Sequence, residues 1–333
     1  MNFLIRNNVL EGYSGRLNET EIRIPEGVTT IRYYTFSGWN TLQSVELPSS
    51  LNNIEYGVFD SCKFLEKITF PDNLEHIGHM CFLECTSLKK VTIPTKVKHI
   101  GYGAFAECSA LEEIQVDEQN PYFTSIDGVL YNKEVTELYC CPAGKKSIQI
   151  PETVQVIRKF AFMGCRFLNE VIIPENVFHI QSGAFSHCSN LKEILIPATV
   201  TQCEDPEFVP DTLVHVQGES GVMTYQPSET SWAKASIFVL ERDFSILMDR
   251  KLKYDLSFRM LFAGIPGVED YVKKNFAKMF RFLIDQDDVQ KIQQILDMQK
   301  FISKRNIKRF ISYADEHSHS ECWEVLYNYQ SKL

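Results

Sequence analysis

Leu88-Lys89-Lys90-Val91-Thr92-Ile93-Pro94-Thr95-Lys96-Val97-Lys98-His99-Ile100-Gly101-Tyr102-Gly103-Ala104-Phe105-Ala106-Glu107-Cys108 is one period of a pattern that fills the first two thirds of the chain. It reads L-x-x-[IV]-x-[IVLF]-P-x-x-[VL]-x-x-I-x-x-x-A-F-x-x-C. Its fixed positions recur in steps of 23. Prolines stand at Pro25, Pro48, Pro71 and Pro94, and again at Pro151, Pro174 and Pro197. Three apolar columns keep the same register: Phe36, Phe59, Phe82, Phe105, Phe162, Phe185; Leu42, Leu65, Leu88, Leu111, Leu168, Leu191; and Ile31, Ile54, Ile77, Ile100, Ile157, Ile180.

The segment before each proline is short, β-branched and alternating, which predicts a strand of about four residues. Proline has no N–H to give to a ladder, so it ends the strand. The Val or Leu and the Ile that follow turn back into the interior, and Ala-Phe fills the far side of the coil. One unit cannot bury its own apolar edge, whereas stacked units share a continuous core. The expectation is an α+β chain: a β-solenoid of parallel strands with the period of leucine-rich repeats over residues 1–226, a linker at 227–235, and a small all-α domain over 236–333.

Between Pro94 and Pro151 the period is broken by extra residues, about 117–146. This piece contains Ser125-Ile126-Asp127-Gly128-Val129-Leu130-Tyr131-Asn132-Lys133, which is similar to the N-terminal Phe3-Leu4-Ile5-Arg6-Asn7-Asn8-Val9-Leu10-Glu11. Asp-Gly is a hairpin turn signal, so both are read as β-hairpins, the first capping the exposed edge of the opening coil. The proline-bearing unit with A-F-x-x-C, together with the hairpin Asp127-Gly128-Val129-Leu130-Tyr131, resembles the BspA-type (Treponema-type) leucine-rich repeat family over roughly residues 1–225. That resemblance implies a curved solenoid without catalytic activity. It also implies, for many members, a cell-surface role in adhesion and host-protein binding.

Alternation places the residues two and four before each proline outward. The variable polar columns they form are the candidate partner-binding face: Glu46, Lys67, Thr69, Lys90, Thr92, Glu113, Gln115, Gln149, Glu170, Ile172, Glu193 and Leu195. Eight such strands about 4.8 Å apart would make a face roughly 34 Å wide, enough for a partner footprint. Ile172 and Leu195 are apolar at outward positions. A covering is expected there, either the C-terminal domain docked on them or an external partner.

Other constellations are explained by the repeat. His76, His79, Cys81 and Cys85 offer four possible zinc ligands within ten residues, but Cys81 occupies the inward alanine slot while the imidazoles point out, so no metal is expected. Cys62, Cys85, Cys108, Cys165 and Cys188 are repeat positions, read as small buried hydrophobes rather than disulfide partners. Ala143-Gly144-Lys145-Lys146-Ser147 lacks the first glycine of a phosphate loop, and no Gly-x-Ser-x-Gly elbow occurs. No catalytic residue or cofactor is assigned.

The 333 residues are 44% hydrophobic and 23% charged, the composition of a globular chain. Residues 1–235 carry 18 Lys+Arg and 29 Asp+Glu, a net of −11, against +2 for 236–333. An acidic larger half repels phosphate backbones, so nucleic acid is not an expected partner. Lys300, Lys304, Arg305, Lys308 and Arg309 read as the wet face of a helix whose Phe301 and Phe310 enter the core. Helical spacing covers Phe276 to Ile284 and Val289 to Leu296, with Asp287 or Asp288 as cap. A further pair, Asn306 to Tyr313 and Ser320 to Tyr329, faintly resembles an ankyrin helix pair. No apolar run reaches the roughly 18 residues of a membrane helix, and the N-terminus has no leader-like apolar stretch. These features point to a cytoplasmic, non-catalytic scaffold for a protein or peptide. The alternatives are a surface adhesin, and an enzyme with its site in the helical region.

Overall fold

A computed structural model of the chain describes residues 3–15, 18–227, 235, 238–242, 244–245 and 248–333. Most of the linker expected at 227–235, namely 228–234, lies outside the described residues. The chain divides into two compact units, Met1–Val214 with Gln226–Ser228, and His215–Tyr225 with Glu229–Leu333.

The first unit is a β-solenoid. The expected strands before the prolines form at Glu21–Arg23, Ser44–Glu46, Lys67–Ile68, Lys90–Ile93, Glu113–Val116, Glu170–Ile172 and Glu193–Ile196. Their pairing is parallel and shifted by one period, as in Glu113↔Lys90 and Gln115↔Thr92. Each coil also carries a second, two-residue strand ending on or beside the isoleucine column: Thr30–Ile31, Asn53–Ile54, His76–Ile77, His99–Ile100, Val156–Ile157, His179–Ile180 and Gln202–Cys203. Ile31, Ile54, Ile77 and Ile100 stand side by side in one parallel sheet. This second ladder is absent from the sequence reading, because two residues are too few for alternation to register.

The turn joining the two strands explains P-x-x-[VL]. The proline carbonyl accepts the N–H of the residue three positions on, as in Val97 N to Pro94 O at 3.3 Å and Leu74 N to Pro71 O at 3.0 Å. The chain thus turns a corner immediately after the strand. On the far side the phenylalanines stack. Phe36, Phe59, Phe82 and Phe105 are 5.2–5.4 Å apart between centroids and within 7–13° of parallel. Phe162, Phe185 and Phe208 form a second stack. Phe208 continues the column one period past Phe185.

The cysteines are more than space-fillers. Cys62 Sγ donates to Phe36 O at 3.2 Å, Cys85 Sγ to Phe59 O at 3.1 Å, Cys108 Sγ to Phe82 O at 3.0 Å and Cys188 Sγ to Phe162 O at 3.1 Å. Each thiol gives a second hydrogen bond to a carbonyl of the preceding coil that already accepts a backbone N–H, as Phe59 O does from Cys62 N at 3.1 Å, so the thiol ties one coil to the next. Trp39 takes the slot in the first coil, where no earlier phenylalanine carbonyl exists, and stacks on Tyr13 at 5.1 Å.

The insertion is larger than a hairpin. Phe123–Ile126 pairs antiparallel with Val129–Asn132, and Glu137–Cys140 then continues into the second sheet beside Val156–Ile157. The N-terminal hairpin, Phe3–Arg6 with Val9–Tyr13, leads into Thr30–Ile31 in the same way. Asn7 and Asn8, and Asp127 and Gly128, sit in the left-handed region required by tight hairpin turns. The insertion is therefore a second cap that restarts the solenoid. The first sheet ends at the insertion; before it the strands already pair in two groups, three strands and two, with no ladder between Lys67–Ile68 and Lys90–Ile93. Residues 147–150 form no strand. The continuous eight-strand face expected from the sequence is thus broken between Ile68 and Lys90 and again at Gln149.

In the second unit, helices α1 (Arg250–Ala263), α2 (Val268–Asp285), α3 (Val289–Asp297), α4 (Lys304–Glu316) and α5 (Ser320–Gln330) enclose a core that includes Phe258, Phe276, Phe280, Ile295, Phe310 and Leu326. Asp288 caps α3 by accepting from Lys291 N, and Ser303 with Asn306 forms a capping box on α4. Helix α1 is not resolved by helical spacing. Tyr254, Leu256, Phe258, Met260 and Leu261 are all buried, on more than one side of the helix.

Phe105 is fully buried at the end of its stack. Phe105→Ala is expected to cost about 3–5 kcal/mol in urea-unfolding free energy; a loss below about 1 kcal/mol would contradict the rung assignment.

A candidate docking surface on the first sheet

The core fixes which way each strand side chain points. In Lys90–Ile93 the pattern is exposed, buried, exposed, buried, and Glu193–Ile196 repeats it. Glu46, Lys67, Thr69, Lys90 and Thr92 are exposed, while Glu113 and Gln115 are half-buried. Gln149 is exposed but stands on no strand. Glu170, Ile172, Glu193 and Leu195 form a separate two-strand patch beyond the insertion, with Ile172 76% and Leu195 44% exposed. The twelve candidates are therefore not one site.

Seven of them line a continuous trough made of three abutting depressions. The first, about 500 Å³, holds Glu46 and Thr69 with Glu26 and Asp72. The second, about 680 Å³, shares Thr69 and Asp72 with it and adds Lys67, Lys89, Lys90 and Thr92. The third, about 1190 Å³, shares Thr92 and Asp117 with the second and adds Glu112, Glu113 and Gln115. The third exists because the insertion stands beside Glu113–Val116. Ile114 N donates to Gly128 O at 2.9 Å, and Gly144 N to Leu111 O at 2.8 Å. Lys90 and Glu113 pair at 3.0 Å across the coils. Hydrogen bonds from Gln115 and Lys90 hold the Glu113 carboxyl below the usual carboxylate range. Lys145 and Lys146 of the phosphate-loop-like segment line the same depression. No helix follows them, so the segment lacks the helix N-terminus that such a loop uses.

A second surface escaped the sequence reading. On the outer side of the isoleucine sheet, Tyr33, Tyr34, Tyr56, His76, His79 and His99 line a depression of about 420 Å³. Tyr34 and Tyr56 meet edge-on at 5.2 Å, and His79 stacks on Tyr102 at 5.2 Å while its Nδ1 accepts from Tyr102 N. The signal was an aromatic column, Tyr33, Tyr56, His79 and Tyr102, again in steps of 23. The His99 imidazole is 6.0 Å from both His76 and His79, and its pKa is lowered by partial burial and then by His76, His79 and Arg158. Cys81 and Cys85 lie in the core, away from these rings. Among the described residues, no group of three or more His, Cys, Asp or Glu side chains could hold a metal ion.

The profile of the BspA type leucine rich repeat region matches residues 11–130 and 138–228 in six copies, more than half of the chain. Among solved structures, a leucine-rich repeat protein from Eubacterium ventriosum is 26% identical with a TM-score of 0.50, covering 59% of this chain and 61% of that one. The pneumococcal vaccine antigen PcpA is 26% identical with a TM-score of 0.46, covering 54% and 51%. The leucine rich repeat protein TpLRR of T. pallidum is 26% identical with a TM-score of 0.33, covering 52% and 64%. The chain thus spans less than two thirds of each of these structures. No curated protein matches it. Among the described residues no helix is long and apolar enough to cross a membrane.

The cysteines are free and buried, and burial pushes the Cys62 and Cys188 thiols up to about 12. A thiol held so far above neutral pH is unreactive. Iodoacetamide at pH 8 is expected to label them only after unfolding in urea; labelling of the native protein within minutes would contradict the burial. His99, with its pKa lowered on folding, disfavours protonation in the folded state. Its contribution is complete above pH 6.5 and is lost as pH falls below that. The urea midpoint is expected to fall between pH 7 and pH 5.5 in the parent, and less so in His99→Asn.

Proposed function

The chain belongs to the BspA-type leucine-rich repeat family, and on that premise we propose that its solenoid is a non-catalytic scaffold that docks a protein or peptide segment in the trough of the first sheet. Proteins of this family are generally such scaffolds. The observation that carries the reading is the contrast between columns. The Phe, Leu and Ile columns are constant and buried, whereas the outward column changes from Glu46 to Thr69 to Thr92 to Gln115 and opens into one connected depression. Polar variation over a fixed core is what a recognition surface needs, because side chains can change there without touching the packing that holds the fold. The face is polar and mixed in charge, which suits reversible docking more than permanent association.

Photocrosslinking tests this. With p-benzoylphenylalanine placed at Thr92, a discrete adduct is expected from the native lysate, absent when the same group is placed at Lys63, which is exposed but lines none of the three depressions. Replacing Lys67, Lys90 and Glu113 together by alanine is expected to reduce that adduct about tenfold, equivalent to about 1.4 kcal/mol, while the thermal midpoint stays within a few degrees. Identical adducts at Thr92 and Lys63, or an adduct unaffected by the triple substitution, would contradict the assignment.

A further inference from the structure

On the isoleucine sheet, the position after each isoleucine is occupied in turn by Arg32, Glu55, Gly78, Gly101, Arg158 and Gln181. Its two arginines behave alike. The Arg158 guanidinium lies over the rings of Tyr139 at 4.2 Å and Tyr102 at 4.9 Å, and its Nη1 donates to the Glu137 carboxylate. The Arg32 guanidinium lies over Tyr33 at 5.6 Å and donates to Glu11 Oε1 at 2.9 Å. A guanidinium held by tyrosine faces and a carboxylate is thus a contact this fold makes twice. Lys159 lies over Phe160 at 4.9 Å with no carboxylate paired to it among the described residues. Where a carboxylate joins the rings of this sheet, the cation is arginine.

A third set of the same groups has no guanidinium. Tyr34 and Tyr56, with ring centroids 5.2 Å apart and ring planes 70° apart, line the depression of about 420 Å³ together with Tyr33 and Glu55. Glu55 Oε2 accepts from Tyr33 N at 3.1 Å, which leaves its other oxygen for a further donor. Among the described residues, no Lys or Arg lines this depression, lies over Tyr34 or Tyr56, or pairs with Glu55. The next two coils carry glycine at the arginine position, and neither can bear a side chain. A Cβ would lie 2.5 Å from the Glu55 carbonyl carbon at Gly78 and 2.3 Å from His79 N at Gly101. The close stacking that demands glycine there also leaves the space beside Glu55 and Tyr56 open.

The rings around that space are held in place. Tyr56 Oη donates to Met80 Sδ at 3.1 Å. Tyr34 sits in the left-handed region at φ 57° with its ring against Gly57, where a Cβ would come within 2.7 Å of it. His79, which also lines the depression, accepts from Tyr102 N through Nδ1 at 2.8 Å, as only the uncharged imidazole can. It adds a ring without adding a positive charge.

We propose that this depression receives an arginine side chain of a partner protein, with the guanidinium lying on Tyr34 and Tyr56 and donating to Glu55. The site is on the isoleucine sheet and does not depend on docking in the trough. Arginine fits because its guanidinium is planar, is attracted to ring faces, and meets a carboxylate with two parallel donors.

The test is a chemical-shift titration of the full chain with acetyl-Gly-Ser-Arg-Ser-Gly-amide, and with forms carrying citrulline or lysine in place of arginine. The arginine peptide is expected to shift the Glu55, Tyr56 and His79 amides saturably. It is expected to bind about tenfold more tightly than the citrulline form, which keeps the shape without the charge, and about threefold more tightly than the lysine form. Glu55→Gln, which keeps an acceptor for Tyr33 N, is expected to weaken binding about tenfold, and Tyr56→Leu about threefold, each with the thermal midpoint within a few degrees of the parent. Equal binding of the citrulline or lysine form, or unchanged binding by Glu55→Gln, would overturn the proposal. So would tighter binding of tetramethylammonium, which would make this a site for methylated ammonium groups, or of free arginine, which would make it a site for the amino acid. Shifts of the same amides that grow with protein concentration in the absence of peptide would make a second copy the occupant and overturn it as well.

Discussion

Everything in the solenoid depends on one coil lying on the next, because no single coil can bury its own phenylalanine. The stack is built from three contacts that repeat together. Rings pack face to face at 5.2–5.4 Å along Phe36 to Phe105. Backbone amides of each far-side turn donate to carbonyls of the next coil, as Phe59 N does to Cys81 O at 2.8 Å. The thiols of Cys62, Cys85, Cys108 and Cys188 then reach back to the phenylalanine carbonyl of the coil before, while Cys165, after the insertion, donates to Cys141 O instead. Cysteine suits this slot because it is small and apolar, yet carries a donor. At the open end Trp39 takes this slot and stacks on Tyr13, which stands one period before Phe36. The far-side turns also place two residues per coil in the left-handed region, Gly57 and Ser61 in one coil and Gly103 and Glu107 in another. The stacking contacts hold those non-glycine residues in a conformation that costs them about 1–2 kcal/mol.

The insertion shows what happens when that continuity is cut. At the turns the stack reconnects directly, with Glu107 N donating to Met163 O at 3.2 Å and the Glu107 carboxylate held by Arg166 and His187. On the isoleucine side the sheet restarts from a new hairpin. On the proline side residues 147–150 form no strand, and the insertion stands beside Glu113–Val116, where it walls a depression of about 1190 Å³. The same constraint that produces a regular, featureless core thus produces, at its interruption before Pro151, a depression of about 1190 Å³ on the polar face.

Much of this was legible in the sequence. A period of 23 in proline, phenylalanine, leucine and isoleucine is enough to give coils, inward columns and an outward polar face, because each residue type has one physical task repeated in every coil. The similarity between Asn7-Asn8-Val9-Leu10 and Asp127-Gly128-Val129-Leu130 marked both hairpins. Three things were not legible. The isoleucine strands are two residues long and carry no alternation. The thiol donation to Phe36, Phe59, Phe82 and Phe162 is a contact between coils, invisible to a reading that treats cysteine as filler. The break at Gln149 depends on how the insertion folds rather than on the residues at 147–150, which keep the outward-inward alternation of a strand without forming one. The aromatic and imidazole column at Tyr33, Tyr56, His79 and Tyr102 was present in the same register, but attention to buried columns passed over an exposed one.

Hydrogen exchange of the free native protein tests the stacking most directly. The amides of Phe36, Phe59, Phe82 and Phe162 each donate to a carbonyl of the following coil and sit beneath buried rings. The account predicts that all four exchange at least about a thousandfold more slowly than in an unstructured peptide, since they can open only when neighbouring coils separate. Exchange of these amides within about tenfold of the unstructured rate, in a protein that remains folded by circular dichroism, would contradict it.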